Sequence, residues 1–202
     1  MLLGLFGGTF DPPHLAHLAL SRAALSSLQL DRLLWLLTPK PPHKRGRIIT
    51  PLKHRLAMVQ IAIKGEPFEL SRLDIDRPAP HYALDTVRLL KEQNFSADIL
   101  YLMGSDSLND LPGWHKPSEL VSALYAIGVM LRPGEIPELA TLEEKLPGLS
   151  TKVRFVNAPE LAISSSDVRQ RVQRGENIDH LVPPGIADYI REHRLYRSSI
   201  QQ

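Results

Sequence analysis

Three apolar runs without alternation limit this chain more than any other feature: RLLWLL at Arg32 to Leu37, ILYLM at Ile99 to Met103, and Tyr125 to Leu131. A strand that is apolar at nearly every position must be covered on both faces, and crossover helices on either side of a parallel sheet do that. Leu2, Leu3, Leu5 and Phe6 supply another strand, Val153 to Val156 one more, and Phe68 to Leu70 a short one. Helical patterns fall between them: from the residues after His14 to about Leu28, Leu52 to Lys64, His81 to Lys91, and Ile136 to Leu146. Strand and helix alternate five or six times, so the pattern predicts an α/β fold with a doubly wound parallel sheet, helices on both faces and right-handed crossovers. A helix from Ile163 to about Arg174, stopped by Gly175, and a short amphipathic helix within Pro183 to Tyr196 form a small helical C-terminal part that reads as a packed cover. The stretch SRLDIDRPAP after Leu70 takes no regular element.

A length of 202 residues suits one sizeable α/β core, so a single domain over 1–202 is expected. The 24 Lys and Arg nearly balance the 22 Asp and Glu, which excludes the long cationic tract of a nucleic-acid wrapper and confines phosphate binding to a local site. Cysteine is absent, so a disulfide framework, a thiol nucleophile and a Cys-ligated zinc site are excluded. No basic leader precedes the first strand and no apolar run reaches membrane-spanning length, so a cytoplasmic protein without a membrane partner is expected. Monomer and homo-oligomer both stay open.

The chemistry concentrates at Leu5 to Leu18, LFGGTFDPPHLAHL. A strand ends in Gly7 and Gly8, which can take positive φ and let a ligand approach their N–H groups; Pro12 or Pro13 fits the first turn of a helix. Helix N-termini attract phosphate, and His14 and His17, three apart, would share the face that meets it. The spacing is neither G-x-G-x-x-G nor a P-loop.

Further candidates lie where other strands end. The segment TPKPPHKRGRIITP, Thr38 to Pro51, is broken by prolines and carries four cations, which suits a flap closing over anions with His43, Lys44 or Arg47. Gly104-Ser105-Asp106 follows a buried strand, where ligands of open α/β sheets sit; Asp106 would cap the next helix, meet a ribose hydroxyl or meet a metal-bound phosphate. Trp114, between Gly113 and Pro117, is either core filling or a platform for an aromatic ring. Ser164, Ser165 and Ser166 cap a helix with Arg169 one turn on, a second phosphate site that would clamp one polyphosphate together with the helix of His14.

These blocks resemble a known family. GGTFDPPHLAH is similar to the nucleotidyltransferase superfamily signature G-G-x-F-D-P-x-H-x-G-H, with Ala16 in place of the usual glycine, and ISSSDVR is similar to its I-S-S-T-x-x-R motif. PPHK at Pro41 to Lys44, HYALDT at His81 to Thr86 and GSDSLNDLPGW at Gly104 to Trp114 resemble motifs of the bacterial nicotinate-nucleotide adenylyltransferase branch, with Ala83 replacing a threonine. The resemblance implies a Rossmann-like fold and transfer of AMP from ATP to nicotinate mononucleotide with Mg²⁺, giving deamido-NAD and pyrophosphate. It implies that His14, His17, Lys44 and Arg169 act in catalysis, and that Gly7, Gly8, Thr9, Phe10, Gly104, Asp106, Ile163, Ser165 and Ser166 join them around ATP. It further implies that Trp114 stacks on the pyridine ring, that backbone N–H groups at His115 and near Ala83 meet the nicotinate carboxylate, and that Thr9, Lys44, Tyr82, Thr86 and Arg132 complete the acceptor side. Nicotinamide mononucleotide or phosphopantetheine as acceptor, or a non-catalytic nucleotide sensor, are the rival readings.

Overall fold

The computed structural model describes residues 1–41, 48–93, 96–131, 137–159 and 161–197. Six strands, β1 (Leu2–Gly8), β2 (Arg32–Leu37), β3 (Glu69–Ser71), β4 (Asp98–Gly104), β5 (Ala126–Met130) and β6 (Val153–Val156), form one sheet in the order β3-β2-β1-β4-β5-β6. All five pairings are parallel, with Leu5 of β1 opposite Leu34 on one side and Tyr101 on the other. The doubly wound α/β arrangement expected from the apolar runs is therefore present. Its order reverses between β1 and β4, the crevice where such sheets bind ligands beyond their carboxyl ends.

Because successive strand side chains point to opposite faces, RLLWLL divides between two cores. Leu33, Trp35 and Leu37 enter one with Phe6, Leu100 and Leu102; Leu34 and Leu36 enter the other with Leu3, Leu5 and Ile99. Over the first face pack α1 (Leu15–Ser27), α2 (Leu52–Ala62), α8 (Ser165–Gln173) and α9 (Ile186–Glu192), through residues such as Leu20, Met58, Val168 and Ile186. The second is covered by α3 (Ala83–Gln93), α4 (Ser105–Asp110), α5 (Pro117–Ala123), α6 (Leu139–Lys145) and α7 (Leu149–Lys152), through Val87, Leu108, Leu120, Leu142 and Leu149. Among the described residues no helix is long and apolar enough to cross a membrane.

Helix boundaries shift where proline intervenes. The helix expected from Ile136 begins at Leu139, after Pro137, with Glu138 as its N-cap. At the other end, α8 stops where the composition placed its stop, with Gly175 at φ 72°.

Trp35 is wholly buried, and its indole N–H donates to the equally buried Ser21 Oγ at 2.9 Å. Ser21→Ala leaves that donor without an acceptor and is expected to cost about 1–3 kcal/mol, read from urea unfolding.

Candidate active site

The turn after β1 differs from the sequence expectation. Gly7 and Gly8 stay in the strand and neither takes the left-handed conformation; they are glycines for space, since a Cβ at Gly7 would collide with Tyr101 Oη and one at Gly8 would lie 2.7 Å from the Phe10 ring. The positive φ falls on Phe10, at 46°. Its ring stacks on Trp35 at 4.7 Å and meets Phe6 edge-on, so packing holds a backbone state that Phe alone disfavours. Neither Pro12 nor Pro13 enters the helix, which starts at Leu15 with His14 as its extended N-cap.

His14 N–H donates to His17 Nδ1 at 3.0 Å, and the two imidazoles stack 3.6 Å apart at 25°. With Nδ1 accepting, the neutral ring of His17 carries its proton on Nε2. The pair thus presents a donor at the N-terminus of α1, where Leu15 N–H donates to the Leu181 carbonyl and His17 N–H to the His14 carbonyl.

The second helix start sits against the first. Ser164 Oγ caps α8 by accepting from Asp167 N–H at 3.0 Å, while Ser165 Oγ donates to the carbonyl of Pro12 at 2.9 Å. Arg169 donates Nη1 to the carbonyl of Asp11 at 2.7 Å and Nη2 to Ser166 Oγ at 3.1 Å, leaving three of its five N–H donors for a ligand. Below this junction Arg55, 2% exposed, donates to the carbonyls of Thr9, Thr38, Pro39 and Thr50. The Asp11 carboxylate accepts from Tyr196 Oη at 2.7 Å and from Thr50 N–H at 3.2 Å, so Thr50 turns its N–H to Asp11 and Pro51 occupies the N-cap of α2.

An open cleft of about 980 Å³ runs from these helix starts to the ends of β2 and β4. Its far wall is aromatic: Trp114 meets Tyr101 edge-on at 6.0 Å, and Tyr82 stacks on His115 at 3.9 Å and 16°. Burial, with the nearby Asp74 carboxylate, pushes the Tyr101 phenol well above its ordinary pKa, so it keeps its proton and stays neutral. Asp74, itself buried, accepts from Arg77 at 2.8 Å and Thr86 Oγ1 at 2.7 Å, which places the unassigned stretch after Leu70 as a support under the loop before α3.

Gly7, Gly8, Thr9, Phe10, His14, His17, Gly104, Asp106, Ile163, Ser165, Ser166 and Arg169 all line this one cleft, as do Tyr82, Ala83, Trp114 and His115. Ala16 lines it too, with its methyl buried at the helix start. Asp106 is in the first turn of α4 rather than its cap, which is Gly104. Thr86 is set apart: it is fully buried, outside the cleft lining, and bonded to Asp74, Arg77 and the Tyr82 carbonyl. Lys44 and Arg132, with His43 and Arg47, lie outside the described residues. Sequence reasoning missed Arg55, Asp74 and Tyr196. Arg55 had a signal, since Arg55, Met58, Val59 and Ala62 form the buried stripe of α2, and a cation there must find acceptors.

Three comparisons bear on this site. The cytidylyltransferase-like family model matches residues 5–171. A protein of Thermomicrobium roseum named probable nicotinate-nucleotide adenylyltransferase is 45% identical over 197 residues, covering 97% of this chain and 92% of that one. One of the same name from a Roseiflexus species is 39% identical over 196 residues, covering 96% and 98%. Among solved structures, Plasmodium falciparum nicotinic acid mononucleotide adenylyltransferase complexed with NaAD has the same fold, with a TM-score of 0.77 at 24% identity over 96% of this chain and 97% of that one. The same enzyme complexed with APC gives 0.76 at 23%, with 96% of each chain covered.

His81, on the cleft wall, has its Nδ1 buried and without a hydrogen bond. Burial is the main cause of its lowered pKa; Arg77 and Lys40 add to the shift and Asp74 opposes it. A histidine held neutral in the fold contributes stability that is present above its unfolded value of 6.5 and is lost as pH falls through the lower folded value. Unfolding free energy should therefore drop as the pH is lowered below about 6.5, and His81→Asn should flatten that slope, as read by urea unfolding at pH 7.5 and 5.

Proposed function

The chain belongs to the cytidylyltransferase-like family, in its nicotinate-nucleotide adenylyltransferase branch, and on that premise we propose how its cleft transfers AMP from ATP to nicotinate mononucleotide. The observation that carries the residue assignments is the shared cleft. Two helix N-termini, the stacked His14 and His17, and the partly free guanidinium of Arg169 face the same space as the Trp114 and Tyr82–His115 wall. The anionic triphosphate goes to the donor end and the pyridine ring to the aromatic end.

In this arrangement the acceptor's phosphate oxygen attacks the α-phosphorus of ATP in line. The new P–O bond forms as the bond to the β-phosphate bridging oxygen breaks, and that electron pair leaves with pyrophosphate. The attacking phosphate is already ionised, so no protein base is needed. His17 Nε2–H, the N–H groups at the start of α8 and Arg169 hold donors fixed where charge builds on the equatorial and leaving oxygens. Family members of this kind generally use a metal ion. Among the described residues no three His, Asp or Glu side chains gather as a cage, which suits Mg²⁺ carried on phosphate oxygens and water, with Asp106 offering a carboxylate to it or to the ribose. When bound, the ion neutralises phosphate charge. Lys44 is assigned as a closing cation by its place in the PPHK motif and Arg132 to the acceptor side by its place after the strand at Tyr125 to Leu131, and the charged solutes suit a cytoplasmic enzyme.

At the acceptor end, Ala83 is the first residue of α3, so its N–H has no intrahelical acceptor and takes one carboxylate oxygen, with His115 N–H on the other. Thr86 acts from beneath, through Asp74 and the Tyr82 carbonyl, to hold that helix start.

The reading is tested by pyrophosphate release from ATP with nicotinate mononucleotide; no release would overturn it. His17→Ala should reduce kcat by roughly two to three orders of magnitude with a much smaller change in ATP affinity, the scale of one preorganised donor lost. Nicotinamide mononucleotide would leave its NH₂ unpaired against N–H donors, about 1–3 kcal/mol, so its kcat/KM should be roughly five- to 150-fold lower. Equal turnover of the two acceptors would remove the carboxylate assignment.

A further inference from the structure

Asp11 poses a problem that the transfer chemistry leaves unanswered, since a carboxylate 5% exposed on the wall of a triphosphate site repels its ligand. The answer lies in what its oxygens meet. Oδ1 accepts from Tyr196 Oη at 2.7 Å, Oδ2 accepts from Thr50 N–H at 3.2 Å, and the main-chain carbonyl of Asp11 accepts from Arg169 at 2.7 Å. Both carboxylate oxygens are committed to donors of the protein, and Asp11 works as a junction rather than a ligand. Tyr196 stands 185 positions away along the chain, beyond the last helix. Arg194 and Tyr196 both take the left-handed conformation, at φ 51° and 62°, which non-glycine residues adopt only where the surroundings demand it, and Leu195 N–H closes back on the Ile190 carbonyl at 3.0 Å.

We infer that Tyr196 is a positioning residue for the adenylyl transfer: its phenol, through Asp11, fixes the turn from Thr9 to His14 in the shape that aligns the donors of α1 with Arg169 of α8. The inference rests on the adenylyl-transfer reading above. Burial first, and then Asp11, raise the phenol's pKa, so the proton stays in the bond throughout the working range. The turn carries His14; without the phenol, Asp11 Oδ1 loses its donor, and the turn loses its tie to the C-terminal segment.

Tyr196→Phe keeps the ring and removes the donor. Tyr189→Phe is the control, since that phenol lies on α9 and bonds His54 Nδ1 at 3.0 Å away from the cleft. With saturating ATP and nicotinate mononucleotide, Tyr196→Phe should lower kcat about tenfold, the scale of one hydrogen bond to a charged group, while KM for the acceptor moves less than twofold. Tyr189→Phe should change neither. Without substrates, amide exchange at Thr9, Phe10, Asp11 and His14 should speed up in Tyr196→Phe alone. On an Asp11→Ala background, which removes the acceptor, Tyr196→Phe should bring no further loss, because the two act through one bond. A kcat within twofold of the parent, an equal loss in Tyr189→Phe, multiplicative losses in the double variant or unchanged amide exchange would each overturn the inference. If the parent enzyme releases no pyrophosphate, the transfer reading fails, and the exchange comparison still decides whether Tyr196 fixes the turn.

Discussion

The guanidinium of Arg55 is what the functional end of this molecule depends on. Thr9 lies in the turn after β1, Thr38 and Pro39 follow β2, and Thr50 precedes α2, so all four carbonyls belong to connecting segments outside the strands and helices. Buried carbonyls of that kind must be satisfied, and one buried cation supplies all four. Burial lowers the pKa of Arg55, and the Asp11 and Tyr196 groups oppose that shift. The side chain stays charged, since arginine in a protein does not give up its proton. A planar fork with five donors can serve several loops at once, and a lysine ammonium has neither the reach nor the fork.

A common rule governs the charges around the cleft. Arg169 lines the open cleft, while the buried carboxylates Asp11 and Asp74 turn their oxygens into donors of the protein. The result is a site for polyanions built in a chain whose formal charge is only +2. Local geometry sets the field here, and net charge does not.

Strands and cores were legible because burial on both faces leaves little room for polar residues, as in RLLWLL and ILYLM. The meeting of His14, His17, Ser165, Ser166 and Arg169 at one cleft was legible because a pair of histidines and a capped serine cluster, each at the start of a helix, have few other reasons to stand where they do. Hidden from sequence were residues whose partners are carbonyls or lie far along the chain. Arg55 resembles an ordinary helix cation until its neighbours on the buried stripe are counted. Asp74 sits in a stretch without periodicity. Tyr196 follows the last helix in what reads as a cover, and only the folded chain reveals that it reaches Asp11. The Phe10 conformation was hidden for another reason: glycines beside it seemed to offer the turn, yet close approach of Tyr101 and Phe10 was what required them.

The turn that begins with Thr9 is closed by residues made very late. Arg169 and Tyr196 stand 158 and 185 positions after Asp11, and at ribosomal rates of about 5–20 residues per second the second gap spans roughly 10–40 s. During that interval the nascent chain already carries both histidines, with Trp35, Thr50 and Arg55 to hold part of their turn, but neither Arg169 nor Tyr196. Strand pairing of β1 with β2 spans a short stretch of chain, whereas the bonds from Asp11 to Arg169 and Tyr196 close loops of 158 and 185 positions. A ribosome-bound fragment lacking α8 and the tail thus exposes an apolar α1 and α2 face without a working site, which makes the C-terminal segment both the final brick of catalysis and the first need of a chaperone-free birth.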